Sequence, residues 1–142
     1  MSSFIAPLTT DDLLSEVEKE NMYSKLIEQI NKDFNFANEA VDFPQSTTPQ
    51  ELKVQLHEKI YRLIQYKFAE YLNLLYIIDV PEETVKQLDG TDLVELSEQV
   101  SFLILKREWM KVWFQEYQFY KIMKDLLIVT FLLMQIPIRE FF

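Results

Sequence analysis

The sequence predicts an all-α protein, an irregular or up-down helical bundle of three long helices and one short helix. Three observations support this fold class. The 142 residues include one glycine and five prolines, so long stretches lack any residue that interrupts a helix. Hydrophobic residues make up 49% of the chain, which is enough for a sizeable core. Along most of the chain they recur every three or four residues, the spacing that places side chains on one helix face.

The first predicted long helix follows an N-terminal tail, residues 1–9, and runs from about Thr10 to Asn35. Asp11 and Asp12 in its first turn suit the positive end of a helix dipole. Its apolar stripe is patchy and its surface is acidic. A polar linker with one proline, residues 37–48, separates this helix from the second long helix.

The second and third predicted helices have clear start signals. Thr48 and Glu51 form a capping box with proline at the first helical position, and the apolar pattern continues from there to about Ile78. A short helix is then predicted over Pro81–Leu88, and Gly90 is suited to the left-handed conformation that ends it.

The last predicted helix occupies residues 92–136, which contain neither glycine nor proline. The whole stretch can form one helix or a helix with a break. Its bulky and β-branched run, residues 126–133, could alternatively be strand-like or bent. Residues 139–142 are predicted to be a C-terminal tail. All segments together are predicted to form a single helical domain, residues 1–142.

Aromatic residues are concentrated on the last helix. At 100° per residue, an aromatic stripe and a neighbouring aliphatic stripe form an apolar sector of roughly 140°. This sector is wider than the roughly 100° with which a helix packs on one core. The sector is either the centre of the bundle or an interface, because aromatic residues are enriched in interface cores. The candidate interface residues are Phe102, Trp109, Trp113, Tyr117, Tyr120 and Phe131. The predicted solvent face of the same helix carries Ser101, Glu108, Lys111, Gln115 and Gln118.

Three lysines lie near the middle of the predicted apolar faces: Lys67 on the second long helix, and Lys106 and Lys124 on the last. A buried lysine is costly unless it is paired. The long side chains either reach the rim of the apolar face or pair with acids, or they hold an anionic ligand in a cleft. They are therefore the candidate ligand-facing polar residues.

The charge pattern argues against nucleic acid as a partner. The net charge of −9 repels phosphate backbones. The run KVWFQ, Lys111–Gln115, occurs in homeodomain recognition helices, in which an adenine-reading asparagine normally follows. Here Glu116 occupies that place, and a carboxylate opposes binding in the major groove. We therefore expect no DNA reading by this helix.

The residue types also restrict the possible chemistry. Without cysteine there is no thiol catalysis and no Cys-based metal site. A single glycine cannot build a phosphate-binding loop, and His57 is the only histidine. We predict no catalytic, metal-binding or cofactor-binding residues, and we expect that the protein is not an enzyme.

The N-terminal residues lack the pattern of a signal peptide, and we expect a cytoplasmic protein. The apolar run Leu126–Ile138 is shorter than the roughly 20 residues of a spanning helix, so a membrane role is not expected.

The function expected from these patterns is protein–protein contact by a non-enzymatic helical protein. A homodimer is the expected assembly, with another protein as the other possible partner, because one patchy helix and one short helix would struggle to cover such wide apolar faces. The alternative is a helical bundle that binds an apolar or anionic small molecule in a cleft.

Overall fold

The computed structural model describes the backbone of residues 4–141 and the side chains of residues 4–134. All regular secondary structure in this described part is helical, and the helices pack as a bundle, which confirms the predicted fold class. The six helices are α1 Thr10–Lys19, α2 Tyr23–Phe36, α3 Pro49–Tyr66, α4 Phe68–Ile78, α5 Glu82–Lys86 and α6 Leu93–Phe141.

The described chain divides into two compact units. The first covers residues 5–112 and holds α1 to α5 together with the first part of α6. The second consists of Phe4 and residues 113–141, the remainder of α6. The fully buried side chains of the first unit come from α1, α2, α3, α4 and α6, so these helices share one apolar core.

The first predicted long helix is in fact two helices, because the chain turns after Lys19. Asn21 adopts the left-handed conformation, with φ of 58°. The backbone N–H of Asn21 bonds to Glu18, and that of Met22 bonds back to Val17. This is the Schellman pattern of helix termination, which asparagine tolerates better than other non-glycine residues.

The second predicted long helix is also divided, at Lys67. This residue has φ of −141° and ψ of 61°, so it ends α3 and precedes α4. The start of α3 is as predicted: Thr48 and Glu51 make both hydrogen bonds of the capping box. No glycine or proline marks the break, and α4 packs against both α2 and α3. The break is therefore a feature of tertiary packing.

The loop between α2 and α3 matches the predicted linker closely. Asn31 of α2 holds it by pairing with the backbone of Phe43, since its side-chain amide both donates to and accepts from that residue at 2.8 Å. The hydroxyl of Tyr23 donates to the carbonyl of Thr47 at 2.6 Å. These side chains supply the backbone partners that the loop cannot provide itself.

The last helix is unbroken from Leu93 to Phe141. Residues 126–133 are helical, so the strand-like alternative for that run is wrong. Residues 139–141, predicted to be a tail, continue the helix.

Candidate functional site

The first part of α6 buries a different face from the predicted one. Ser101 and Glu108, which were placed on the solvent face, are buried, and Glu108 has no exposed surface. Phe102, assigned to the apolar sector, is only half-buried. The helix therefore presents a mixed face to the core, with polar side chains that meet polar partners on the other helices.

Trp109 lies at the centre of this core. Its side chain is fully buried, and its indole N–H donates to a carboxylate oxygen of Glu16 on α1 at 2.9 Å. A buried indole usually needs such an acceptor. Trp109 has no exposed surface to offer a partner, so it falls outside any interaction surface of the folded chain.

A polar cluster within the first unit links α2 to α6. The Nζ of Lys111 donates to Asp33 at 2.7 Å, and the side-chain amide of Gln29 donates to the same carboxylate oxygen at 3.1 Å. Lys111 also lies 3.4 Å from a carboxyl oxygen of Glu108. Asp33 lies close enough to Glu108 to shift its pKa, so two carboxyl groups meet beside one lysine.

The two carboxyl groups have opposite pKa shifts. Burial raises the pKa of Glu108 to about 9, and the hydrogen bond and negative charge of Asp33 add to the rise, while Lys111 opposes it. Burial alone would raise the pKa of Asp33, but hydrogen bonds with Glu108, Lys111 and Gln29 outweigh burial and lower it. At neutral pH, Glu108 is therefore the protonated member of the pair and Asp33 is the ionised one.

This polar cluster is closed to a substrate. Glu108 is fully buried, and neither of its carboxyl oxygens accepts a hydrogen bond from a described donor. Among the residues whose side chains are described, no group of three or more His, Asp or Glu side chains could hold a metal ion. The cluster joins α2 to α6 through the contact between Asp33 and Lys111.

The three candidate ligand-facing lysines have different surroundings. Lys67 is exposed and lines a cleft of about 330 Å³ beside Glu39 and Arg62. Lys106 lines a separate cleft of about 350 Å³ beside Asp79. Lys124 belongs to the second unit and is exposed. Within the first unit, Lys67 and Lys106 therefore do not share one ligand site.

The second unit begins with a small aromatic group. The rings of Trp113 and Tyr117 stack at a centroid distance of 5.7 Å, with 7° between their planes. Phe4 meets the Trp113 ring edge-on, also at 5.7 Å, and lies 6.2 Å from the ring of Phe114. Trp113 and Tyr117, both candidate interface residues, are half-buried by these contacts.

Every large apolar side chain from Phe119 to Met134 is exposed, and we call this set the C-terminal apolar surface. The exposed fraction ranges from 43% at Met123 to 67% at Leu127. Of the candidate interface residues, Tyr120 and Phe131 belong to this surface. Its members are Phe119, Tyr120, Ile122, Met123, Leu126, Leu127, Ile128, Val129, Phe131, Leu132, Leu133 and Met134.

Part of this surface was missed by the sequence analysis, which followed an aromatic stripe and a neighbouring aliphatic stripe. A third apolar stripe runs through Phe119, Ile122, Leu126, Val129 and Leu133. Its alternating spacing of three and four residues is the signal that could have revealed it.

Charge is distributed unevenly between the two units. Within residues 113–134, Glu116 and Asp125 are balanced by Lys121 and Lys124, so the segment has no net charge.

No helix in the described residues is both long and apolar enough to cross a membrane.

No protein-family model, curated protein or solved structure matches this chain.

Proposed function

We propose that this chain is a non-enzymatic helical protein that acts through protein–protein contact, and that it forms a homodimer through the C-terminal apolar surface. The observation that carries the proposal is the continuous exposure of large apolar side chains from Phe119 to Met134. Contiguous exposed patches of this kind are typical of interaction sites.

The size of the surface supports coverage by a partner. Phe119, Tyr120 and Phe131 are each 60% exposed or more, so these three side chains alone present roughly 300 Å² to water. Soluble monomers seldom leave more than a few hundred Å² of contiguous apolar surface uncovered. From Leu126 to Met134 the helix is apolar on nearly every side, and such helices are normally buried.

The local charge supports a second copy as the partner. The chain as a whole carries −9, and a strong negative charge opposes association between copies. The segment that carries the C-terminal apolar surface, residues 113–134, does not add to this repulsion because its charges cancel. A symmetric dimer places one such neutral patch against itself, which satisfies both copies with one contact.

The test is a light-scattering measurement of molar mass during size-exclusion chromatography. We expect the unmodified protein to be a dimer at micromolar concentration and Leu126→Glu to be a folded monomer, because the substitution puts a charge into the apolar contact. Leu72→Glu is the matched control: Leu72 is 50% exposed, close to the 53% of Leu126, but it lies on α4.

We expect Leu72→Glu to remain a dimer, and circular dichroism should show unchanged helix content in both variants. A monomer for the unmodified chain would refute the proposal. Equal dissociation of the two variants would show that the C-terminal apolar surface is not the contact.

A further inference from the structure

We infer that the two copies pair antiparallel, through a seam of Phe119, Ile122, Leu126 and Val129. This inference rests on the proposed self-association and adds the face, the direction and the register of the contact. Each seam side chain is between 49% and 62% exposed, so all four are available to a partner.

The seam is the uncharged stripe of the C-terminal helix. Its members recur at spacings of three and four residues, which keeps them on one face along the helix. Leu133 continues the same face and is 58% exposed. Lys121 and Lys124 lie on the other side of the helix, roughly 120° or more from the centre of the seam at 100° per residue.

The competing aromatic stripe is less suited to self-contact. Lys124 falls in its middle, between Tyr120 and Phe131, and pairing there would bury two ammonium groups. Trp113 and Tyr117, at its start, already stack on one another. No member of the seam is charged, and the nearest charged side chain, Asp125, lies roughly 80° from the centre of the seam at 100° per residue.

The spacing of the seam is compatible with a two-fold contact between reversed helices. From Phe119 the intervals are three, four and three residues, which read the same in both directions. A symmetric pair requires that if residue i meets residue j, then j meets i. Antiparallel pairing centred at position 124 satisfies this, because Phe119 then faces Val129 of the partner subunit, and Ile122 faces Leu126 of the partner subunit.

Charge decides between the two directions. Residues 113–142 carry three acids and three bases, so the whole net charge of −9 belongs to residues 1–112. These acidic segments join the seam helix at its N-terminal end, so parallel pairing would bring the two junctions together. Antiparallel pairing separates the junctions, which lowers the repulsion between the acidic residues near them.

Disulfide trapping tests the direction, and the chain suits it because it has no cysteine of its own. Phe119→Cys and Val129→Cys are prepared separately, mixed in reduced form, equilibrated and oxidised. Intact mass distinguishes the products, since the two variants differ in mass. A disulfide needs Cα atoms within about 7 Å, whereas positions ten residues apart on a helix are separated by roughly 15 Å.

We expect the mixed disulfide, which joins one Phe119→Cys chain to one Val129→Cys chain, to form about ten times faster than either symmetric product, because only the mixed pair lies in one layer of the seam. Ile122→Cys mixed with ¹⁵N-labelled Leu126→Cys provides a second pair; the label is needed because these two variants have the same mass. The preference for the mixed product should be smaller there, because the two positions are only about 6 Å apart along the helix. Lys124→Cys, on the opposite side, is the control and should cross-link slowly in the dimer.

Light scattering on the reduced variants separates this inference from the proposed function. Dimers that give predominantly symmetric disulfides would overturn the antiparallel direction, and dimers in which Lys124→Cys reacts fastest would overturn the seam. In both of those cases self-association itself would stand. A monomeric unmodified chain would instead remove the proposed function and the seam together.

Discussion

At the scale of single residues, the contact between Glu108 and Asp33 is the most unusual chemistry in the first unit. Two carboxyl groups and one lysine meet where Glu108 has no access to water. Two neighbouring ionised carboxylates would repel each other where water cannot screen them. The Glu108–Asp33 pair therefore retains a proton that an exposed pair would lose. The folded state therefore binds a proton at neutral pH that the unfolded chain releases.

This proton makes stability depend on pH in a defined direction. The pKa of Glu108 is raised from 4.5 to about 9, so its contribution is fully favourable below pH 4.5 and is lost as the pH rises to about 9. Glu108→Gln keeps the shape and the ability to donate to Asp33 but removes the titration. We expect the variant to be more stable than the unmodified protein at about pH 8.5 and to lose less stability between about pH 6 and pH 9.

Urea denaturation at fixed protein concentration measures this effect. The control is Glu98→Gln, an exposed acid on the same helix, which should follow the pH profile of the unmodified protein. Parallel profiles for Glu108→Gln and the unmodified protein would show that Glu108 is already ionised in the fold.

At the scale of the helix, α3 shows how local signals determine where an element begins. Thr48 accepts a hydrogen bond from the backbone N–H of Glu51 at 3.2 Å, and the Glu51 side chain accepts one from the N–H of Thr48, also at 3.2 Å. These two bonds satisfy donors that the first turn of a helix leaves unpaired.

Thr48→Ala should therefore lower the free energy of unfolding by about 1 kcal/mol, the usual cost of losing an N-cap side chain. Ser46→Ala is the matched control, because Ser46 is exposed in the preceding loop and is not the cap. Thermal or urea unfolding followed by circular dichroism compares the two variants. Equal stability of Thr48→Ala and Ser46→Ala would mean that tertiary packing alone defines the start of α3.

At the scale of the whole molecule, charge and apolar surface are segregated along the chain. The net charge lies in residues 1–112, and the C-terminal apolar surface lies beyond them in a neutral segment. Self-association then has two opposing contributions, apolar burial at the surface and repulsion between the acidic parts of the two copies. Salt weakens the repulsion and leaves the apolar contact in place.

We therefore expect the proposed dimer to tighten when sodium chloride is raised from about 20 mM to about 500 mM, because the screening length falls well below the size of the molecule. Sedimentation equilibrium at both salt concentrations gives the dissociation constants. Leu72→Glu should tighten in the same direction as the unmodified chain. Weakening with salt would indicate that ion pairs, and not apolar burial, hold the two copies together.

The sequence by itself determined the helical class, the capping box at Thr48 and the presence of a long helix after Gly90. These features depend on neighbours along the chain, such as cap residues, helical spacing and the absence of helix breakers. The break after Lys19 also had a local cause in Asn21, although asparagine alone is too common in helices to predict it. The neutral charge of residues 113–142 was likewise readable from the sequence.

Only the tertiary structure decided which face of α6 is buried. Periodicity assigned Glu108 to water because a carboxylate is costly to bury, but Asp33 and Lys111 on the packed helices meet it and its pKa rises. The break at Lys67 also needed the structure, since it arises where α4 packs against α2 and α3. Trp109 is buried and Tyr120 is exposed, although both lie on α6. The burial of a side chain depends on which helices pack against it, and those helices are distant in sequence.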